Sequence, residues 1–135
     1  MLDLDNTVAA YDEFEFAENI IDWIDAVKSS GIELFVISNS KRKKRVETFS
    51  NSIGTRFIMQ SGKPSPKGLL RAMETAGFSP DASALIGDQV FTDALAANRA
   101  GIISIIVRPR RFTNPFLALR YYIEVPFRAM CKSKR

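Results

Sequence analysis

Residues 33–38 read ELFVIS and residues 102–107 read IISIIV, and these two apolar runs decide the fold class. Both are shorter than a typical helix and contain the β-branched residues that favour strands. Residues 1–4, 56–59 and 83–86 form three further short apolar runs. The run at 102–107 is continuous, which is typical of a strand covered on both faces. The sequence therefore predicts five short strands, of which the first is only a stub.

Amphipathic stretches alternate with these strands. Helices are predicted at residues 18–30, 41–50, 64–77 and 90–100, and Gly31, Gly77 and Gly101 mark three of their ends. Strand and helix alternating through short links imply parallel strands joined by right-handed crossovers. We therefore expect an α/β fold, a three-layer sandwich around a mostly parallel, Rossmann-like sheet.

The composition narrows the chemistry. The chain has 135 residues, 46% of them apolar and 25% charged, which suits one globular domain and argues against wholesale disorder. It has no histidine and one cysteine, Cys131. Histidine-dependent triads, histidine zinc sites and an intrachain disulfide are therefore excluded. The groups that remain for catalysis or binding are carboxylates, lysines, hydroxyls, backbone amides and a hard metal ion.

Charge divides the chain near residue 108. Residues 108–135 contain eight Lys/Arg and one Glu, whereas residues 1–107 contain 11 Lys/Arg and 14 Asp/Glu. We predict a domain at 1–107 and a basic tail at 108–135 that meets a negatively charged partner. The start of the sequence has no signal-peptide pattern, and no apolar run approaches a bilayer span. These features, with the single cysteine, favour a cytoplasmic location.

Polar residues follow the predicted strands. Ligands of an open α/β sheet bind beyond the carboxyl ends of its strands, so these residues should converge at one edge. The candidates are Asp3, Asp5, Ser38, Asn39, Lys63 and Asp88. Each has a simpler interpretation: Asp88 and residues 38–40 could cap helices, and a single lysine is usually solvated. Together, in this order, they favour a site.

The same residues resemble the haloacid-dehalogenase (HAD) superfamily. Residues 3–7, DLDNT, match its DxDxT motif, Ser38 its second motif, Lys63 before a proline its third, and residues 87–93, GDQVFTD, its fourth. DLDNT, VISNS, GKP and GDQxxTD together are similar to the class IIIA, YqeG-like branch, which is related to phosphatidylglycerophosphate phosphatases. The resemblance covers residues 1–107.

The resemblance implies a Mg²⁺-dependent phosphomonoesterase. Asp3 is then the nucleophile that forms an aspartyl-phosphate, and Asp5 the general acid and base. The metal ligands are the carboxylates of Asp3 and Asp88 and the backbone carbonyl of Asp5, with Asp93 holding a metal-bound water or orienting Lys63. Ser38 and the Asn39 amide grip phosphate oxygens. Lys63 is preferred as the motif lysine, and Lys67 stays a second candidate.

The spacings leave no room for the cap domain that many HAD enzymes carry. Asp5 to Ser38 is 33 positions and Ser38 to Lys63 is 25, so residues 8–16 could form only a small flap. An open site suits a phosphate carried on a large object. Phosphatidylglycerophosphate fits best, because the class IIIA resemblance points the same way.

The tail predicts how such a substrate is reached. Apolar residues recur every three or four positions after Asn114-Pro115, among basic residues, as in helices that lie on anionic membranes. This pattern is compatible with peripheral association at the inner membrane face; nucleic acid is less favoured. Alternatively, the apolar stripe packs on the domain and its charges are solvated. The basic run at 41–45, KRKKR, could steer an anionic headgroup or form a solvated helix face.

The first strand has almost no residues before Asp3. We expect either a truncated first strand, since members of this family carry an N-terminal segment that completes it, or an unusually short one. A non-catalytic HAD-like binding module, using its basic tail on a membrane, ribosome or protein, is the alternative function.

Overall fold

The computed structural model describes residues 1–17 and 19–130. Its helices are α1 (Ile20–Ser29), α2 (Lys43–Ser52), α3 (Lys67–Ala76), α4 (Leu95–Arg99) and α5 (Pro115–Met130). Its strands are β1 (Phe35–Ile37), β2 (Arg56–Ile58), β3 (Ala84–Gly87) and β4 (Ile103–Ile106). A short 3₁₀ turn at Pro80–Ala82 precedes β3, and a wide helical turn at Val90–Ala94 leads into α4. Cys131 and the predicted helix start at residue 18 lie outside the described residues.

The first strand is a single bridging residue in the middle of the sheet. Leu2 pairs in parallel with Val36 of β1 and with Ile86 of β3. β2 pairs in parallel with β1, and β4 with β3. The strand order is therefore β2, β1, Leu2, β3, β4, so Leu2 joins two halves that do not otherwise pair. The Met1 ammonium donates a 2.7 Å hydrogen bond to the Ala84 carbonyl, and burial lowers the pKa of this amine to about 6.

Helices cover both faces of the sheet, which confirms the expected three-layer α/β fold. On one face Leu2 and Val36 pack with Ile24 of α1 and with Val46 and Phe49 of α2. The other face carries a second core, formed by β1 and β3 with α3 and α4, whose members include Phe35, Ile37, Leu69, Leu85 and Ala97. The apolar cores cover the two faces of the sheet, and polar residues follow at the ends of its short strands.

One prediction about the strands is wrong. The run at 102–107 predicted a strand covered on both faces, but β4 is an edge strand whose Ile103 and Ile105 are exposed. Residues 103 and 105 pair with Ala84 and Ile86, so their side chains lie on the face of the sheet that carries α1 and α2. Those two helices pack near β1 and β2 and leave this part of β4 exposed. Apolar composition reports how hydrophobic a strand is, but not which neighbours reach it.

The helix boundaries follow local signals. Gly77 ends α3 in the left-handed conformation, φ +75°, and its N–H bonds the Met73 carbonyl at 2.8 Å. α5 begins at Pro115, as predicted, with the Asn114 side chain accepting a 3.0 Å hydrogen bond from the Leu117 N–H. In the described part of the chain, no helix combines the length and hydrophobicity needed to cross a bilayer.

Candidate active site

The predicted residues meet at one edge of the sheet because parallel strands end there together. Asp3 follows the bridging residue Leu2, Ser38 follows β1, and Asp88 follows β3. All three are buried, and Ser38 has no exposed surface. The Thr7 hydroxyl donates a 3.2 Å hydrogen bond to the Asp3 carboxylate. The residues that follow these strands therefore form a compact polar cluster at this edge of the sheet.

Lys63 is the lysine of this cluster. Its Nζ lies 2.5 Å from Asp3 Oδ1, 2.7 Å from Asp93 Oδ1 and 3.2 Å from the Ile37 carbonyl oxygen. Burial disfavours the ammonium, but the charges of Asp3 and Asp93 outweigh it and raise the pKa of Lys63. Lys67, the alternative from the sequence, is an exposed residue at the start of α3. The structure thus brings Lys63, and not Lys67, to the carboxylates.

The three carboxylates around Lys63 form a group suited to a cation. One oxygen each of Asp3, Asp88 and Asp93 lie within 4.8 Å of one another. Asp88 Oδ1 is buried and accepts no hydrogen bond from any described residue. Burial, then the neighbouring carboxylates, raises the pKa of Asp88 to about 8. A buried, unpartnered oxygen among hard oxygen donors fits a divalent metal such as Mg²⁺.

The Asp3 carboxyl is perturbed in the same direction. Burial is the largest cause, and Lys63 opposes it, with the net result that the pKa of Asp3 rises to about 7. Carboxylates gathered in a dry site disfavour one another's ionised form. A bound divalent cation would remove that conflict, because it favours the charged form of every carboxylate it contacts.

The Asp5 carboxylate contacts Arg45 and Ser38. Its Oδ1 accepts a 3.1 Å hydrogen bond from Arg45 Nε, and its Oδ2 lies 3.5 Å from the Ser38 hydroxyl. The Asp5 carboxylate is not among the three that could share a cation. The family resemblance assigned the backbone carbonyl of Asp5 to the metal, and that assignment stays a prediction.

Arg45 is a site residue that sequence reasoning missed. It belongs to the basic run 41–45, whose proposed roles were steering or a solvated face, but its side chain is only 1% exposed. Its second contact is a 2.8 Å hydrogen bond from a terminal nitrogen to the Ala10 carbonyl. The available signal was helical spacing: residue 45 precedes the buried Phe49 by four positions and so shares its face.

Ser38 and Asn39 organise the loop that carries Lys63. The Asn39 side chain donates to the Lys63 carbonyl at 2.9 Å and accepts from the Lys63 N–H at 3.0 Å. The Ser61 hydroxyl bonds the same Asn39 oxygen at 2.8 Å. Ser38 Oγ accepts the Ser40 N–H, and Ser40 Oγ accepts the Arg42 N–H directly before α2, each at 3.0 Å. Residues 38–40 therefore hold the chain that enters α2, as the capping alternative expected, and Asn39 also holds the loop of Lys63.

The cap interpretation of Asp88 is wrong. Among the described residues, the amides of Val90 and Phe91 are capped by the Glu124 carboxylate, at 3.0 and 3.3 Å. The Gln89 N–H bonds Asp93 Oδ2 at 3.0 Å. The Asp88 carboxylate is left available for a ligand.

The cluster opens into a cleft of about 580 Å³. Three cationic side chains besides Lys63 line it: Lys41, Arg42 and Arg120, the last from α5. Tyr11 also lines the cleft, and its carbonyl accepts a hydrogen bond from Arg42 at 2.7 Å. Between Asp5 and α1, the described residues form no helix, so the structure has no cap domain there. The cleft is open and positively rimmed, which suits an anionic substrate.

Comparison with known proteins agrees with this geometry. The chain is 33% identical over 133 residues to the "Probable phosphatase YqeG" of Bacillus subtilis (strain 168), covering 98% of this chain and 76% of that protein. A HAD-superfamily hydrolase from Ehrlichia chaffeensis superposes with a TM-score of 0.59 at 22% identity, covering 88% of this chain and 60% of that one. An uncharacterized protein from Listeria monocytogenes serotype 4b gives a TM-score of 0.66 at 14% identity, covering 95% and 97%. These two structures support the fold.

The family follows from the sequence match. The profile of the haloacid dehalogenase-like hydrolases matches residues 2–101, a span that contains Asp3, Ser38, Lys63 and Asp88. The predicted superfamily and the prediction of an enzyme are therefore confirmed, and this chain belongs to the haloacid dehalogenase-like hydrolase family.

Proposed function

We propose that the protein is a Mg²⁺-dependent phosphatase that forms a phosphoenzyme on Asp3. The observation that carries the proposal is the buried Lys63 ammonium between Asp3 and Asp93, beside an Asp88 oxygen that accepts no hydrogen bond from the described residues. A lone carboxylate would repel a phosphate, so it needs fixed positive charge beside it. Magnesium held by Asp3, Asp88 and Asp93, with the Asp5 carbonyl, would neutralise phosphate charge.

The chemistry then divides between the two aspartates of the DxD segment. An Asp3 carboxylate oxygen attacks phosphorus, the bond from phosphorus to the leaving oxygen breaks, and Asp5 gives that oxygen a proton. Water then attacks the phosphorus of the aspartyl-phosphate while Asp5 takes the water proton, and the bond from phosphorus to the Asp3 oxygen breaks, which releases inorganic phosphate and restores the Asp3 carboxylate. The Ser38 hydroxyl and the Asn39 amide bind phosphate oxygens at the start of α2, where the helix dipole favours an anion.

The test of this proposal is p-nitrophenyl phosphate turnover with and without Mg²⁺. Asp3→Asn should abolish both turnover and phosphoenzyme. Asp5→Asn should slow turnover, most for poor leaving groups, while beryllofluoride binding persists. Lys63→Met should lose activity by a factor of about 100 or more, since it removes a fixed charge at the phosphate. Lys67→Met, a matched lysine four positions on, should stay near wild type.

Absence of metal-dependent turnover would indicate a binding protein and not an enzyme. A folded wild type without metal-dependent phosphate release, indistinguishable from Asp3→Asn, would favour the non-catalytic binding module. Full rates from Asp5→Asn on a poor leaving group would remove Asp5 from its proposed role.

The substrate we propose is a large anionic phosphomonoester in a membrane, with phosphatidylglycerophosphate as the best fit. The cleft is open, and Lys41, Arg42 and Arg120 supply positive charge at its walls. The class IIIA, YqeG-like sequence pattern points to the same substrate. A panel of phosphatidylglycerophosphate, nucleoside monophosphates and phosphopeptides would test this choice. Preference for a soluble nucleotide or a peptide would overturn it.

The tail helix supports peripheral association with an anionic membrane, such as the inner membrane face. The described residues leave the outer face of α5 uncovered, and its exposed apolar side chains are Phe116, Leu119, Tyr122, Ile123, Val125, Phe127 and Met130. Such a face next to a substrate cleft can lie in the interfacial region of a bilayer. The domain assignment, with a body at 1–107 and a tail at 108–135, is part of this proposal.

The structure changes which residues should test the membrane role. Arg120 and Arg128 contact Glu124, so their loss would disturb the domain itself. Replacing Phe116, Leu119 and Ile123 with Gln should instead reduce binding to phosphatidylglycerol vesicles and leave p-nitrophenyl phosphate turnover unchanged. Vesicle binding should also weaken with salt, because the Debye length falls from about 10 Å at 0.1 M to about 3 Å at 1 M. Equal vesicle binding by the triple variant would contradict the membrane role.

A further inference from the structure

α5 lies beyond residues 2–101, the span that matches the family, yet its side chains bind the backbone of the loop that carries Asp88. Glu124 is its one buried residue and is 1% exposed. A carboxylate is almost never fully buried without partners, because desolvating its charge is costly. The partners of Glu124 should therefore show what this helix does.

The Glu124 carboxylate binds the loop that follows Asp88. Its two oxygens accept hydrogen bonds from the N–H groups of Val90 and Phe91, at 3.0 and 3.3 Å. These are the first amides of the helical turn that leads into α4, and such amides have no partner within their own helix. A negative charge also suits the positive end of a helix. Glu124 thus fixes the backbone two and three residues after Asp88.

Arg128 holds the same loop at Asp88 itself. Its guanidinium donates a hydrogen bond to the Asp88 carbonyl and another, 2.9 Å long, to the Val107 carbonyl after β4. It lies 3.6 Å from Glu124 and stacks over the Tyr121 ring, 4.7 Å from its centroid. Glu124 and Arg128 are one helical turn apart, so a single face of α5 binds the backbone of this loop at residues 88, 90 and 91.

We propose that Glu124 and Arg128 are positioning residues that set the orientation of the Asp88 carboxylate and thereby the affinity of the site for Mg²⁺. The inference rests on the proposed function, because it assumes that Asp88 is a metal ligand. Neither residue touches the carboxylate oxygens, so each acts through the backbone of residues 88–91. A loop that is free to turn would spread the Asp88 side chain over several orientations and weaken its contribution to the site.

The measurement is Mg²⁺ binding to the full chain by isothermal titration calorimetry, without substrate. Glu124→Gln and Arg128→Gln should each raise the dissociation constant by a factor of about 10 to 100, the usual effect of losing a residue that orients a ligand. Arg128→Lys keeps the charge and one donor and should recover part of the affinity. Asp88→Asn, which alters a ligand directly, should lose the most.

Two exposed residues of α3 provide matched controls. Glu74→Gln and Arg71→Gln make the same chemical changes away from the site and should bind Mg²⁺ like wild type. Thermal unfolding in EDTA, measured in parallel, separates a fold effect from a metal effect. If Glu124→Gln does not fold, Arg128→Gln carries the test, since it leaves the contacts of Glu124 with the two amides in place.

The outcomes separate this inference from the function on which it rests. A wild type that binds no Mg²⁺ would overturn the proposed function and this role with it. A wild type that binds Mg²⁺, with folded variants that bind it equally well, would overturn only the role of α5. So would variants that melt earlier in EDTA but keep the wild-type dissociation constant, because Glu124 and Arg128 would then serve the fold alone.

Discussion

Replacing Arg45 with Met should both destabilise the protein and slow its catalysis. Methionine keeps an unbranched apolar stem beside Phe49, over whose ring the guanidinium lies 4.8 Å from the centroid. It removes the 3.1 Å hydrogen bond to Asp5 and the 2.8 Å bond to the Ala10 carbonyl. Lys44→Met is the matched control, because Lys44 is the exposed neighbour in the same helix.

The expected loss of stability can be estimated from these two contacts. A hydrogen bond to a charged group contributes about 1.5–3 kcal/mol, and an orphaned buried acceptor costs about 1–3 kcal/mol. Breaking a buried ion pair from one side costs about 3–5 kcal/mol, but the Asp5 side chain is 16% exposed and regains some water. We expect Arg45→Met to lower the free energy of unfolding by about 2–4 kcal/mol, and Lys44→Met to change it by less than about 0.5 kcal/mol.

Urea unfolding followed by circular dichroism measures this loss, and a double-mutant cycle with Asp5→Asn isolates the pair. The coupling free energy should be about 1.5–3 kcal/mol, the range for a charged hydrogen bond. Turnover of a poor leaving group should fall further than phosphoenzyme formation from a good one, because Asp5 would no longer be held in place. Additive effects within about 0.5 kcal/mol would refute the reasoning, as would an Arg45→Met protein as stable as Lys44→Met.

Two further predictions follow from the packing and charge of the site. Gly87→Ala should lower the free energy of unfolding by about 1–3 kcal/mol and remove most of the activity, because the added Cβ would lie 2.4 Å from Asp93 Cγ. Unchanged urea unfolding and unchanged turnover would contradict this prediction. In EDTA the free energy of unfolding should fall from pH 5 to pH 6 by about 1 kcal/mol for each raised carboxyl, because folded Asp3 and Asp88 keep protons that the unfolded chain has released. The lowered pKa of the Met1 amine opposes this trend weakly between pH 5 and pH 6 and more strongly above pH 6, because the folded amine loses its proton before the unfolded one. Urea titrations at pH 5 and 6 measure the slope, and a flat or rising stability would count against these pKa shifts.

The order of strands and helices, and the edge at which the polar residues meet, could be predicted from the sequence. Both depend on local patterns: the period of apolar residues assigns each element, and alternation of strand and helix makes the strands parallel. Once the strands are parallel, Asp3, Ser38 and Asp88 must share an edge. The helix start at Pro115 is equally local, because proline and the preceding Asn114 cap suffice to set it.

Only the tertiary structure decided which charged residues are buried and what they hold. Arg45 and Asp5 are 40 positions apart, and Lys63 and Asp3 are 60 apart. A basic run on an amphipathic helix is compatible with a fully solvated face or with one arginine that points inward. Which of the two forms depends on whether another element places a carboxylate within reach of that arginine. Glu124 shows the same limit, since its partners are the amides of a distant loop. Composition can give the number of charges, but desolvation makes a buried charge tolerable only where the fold supplies its partners.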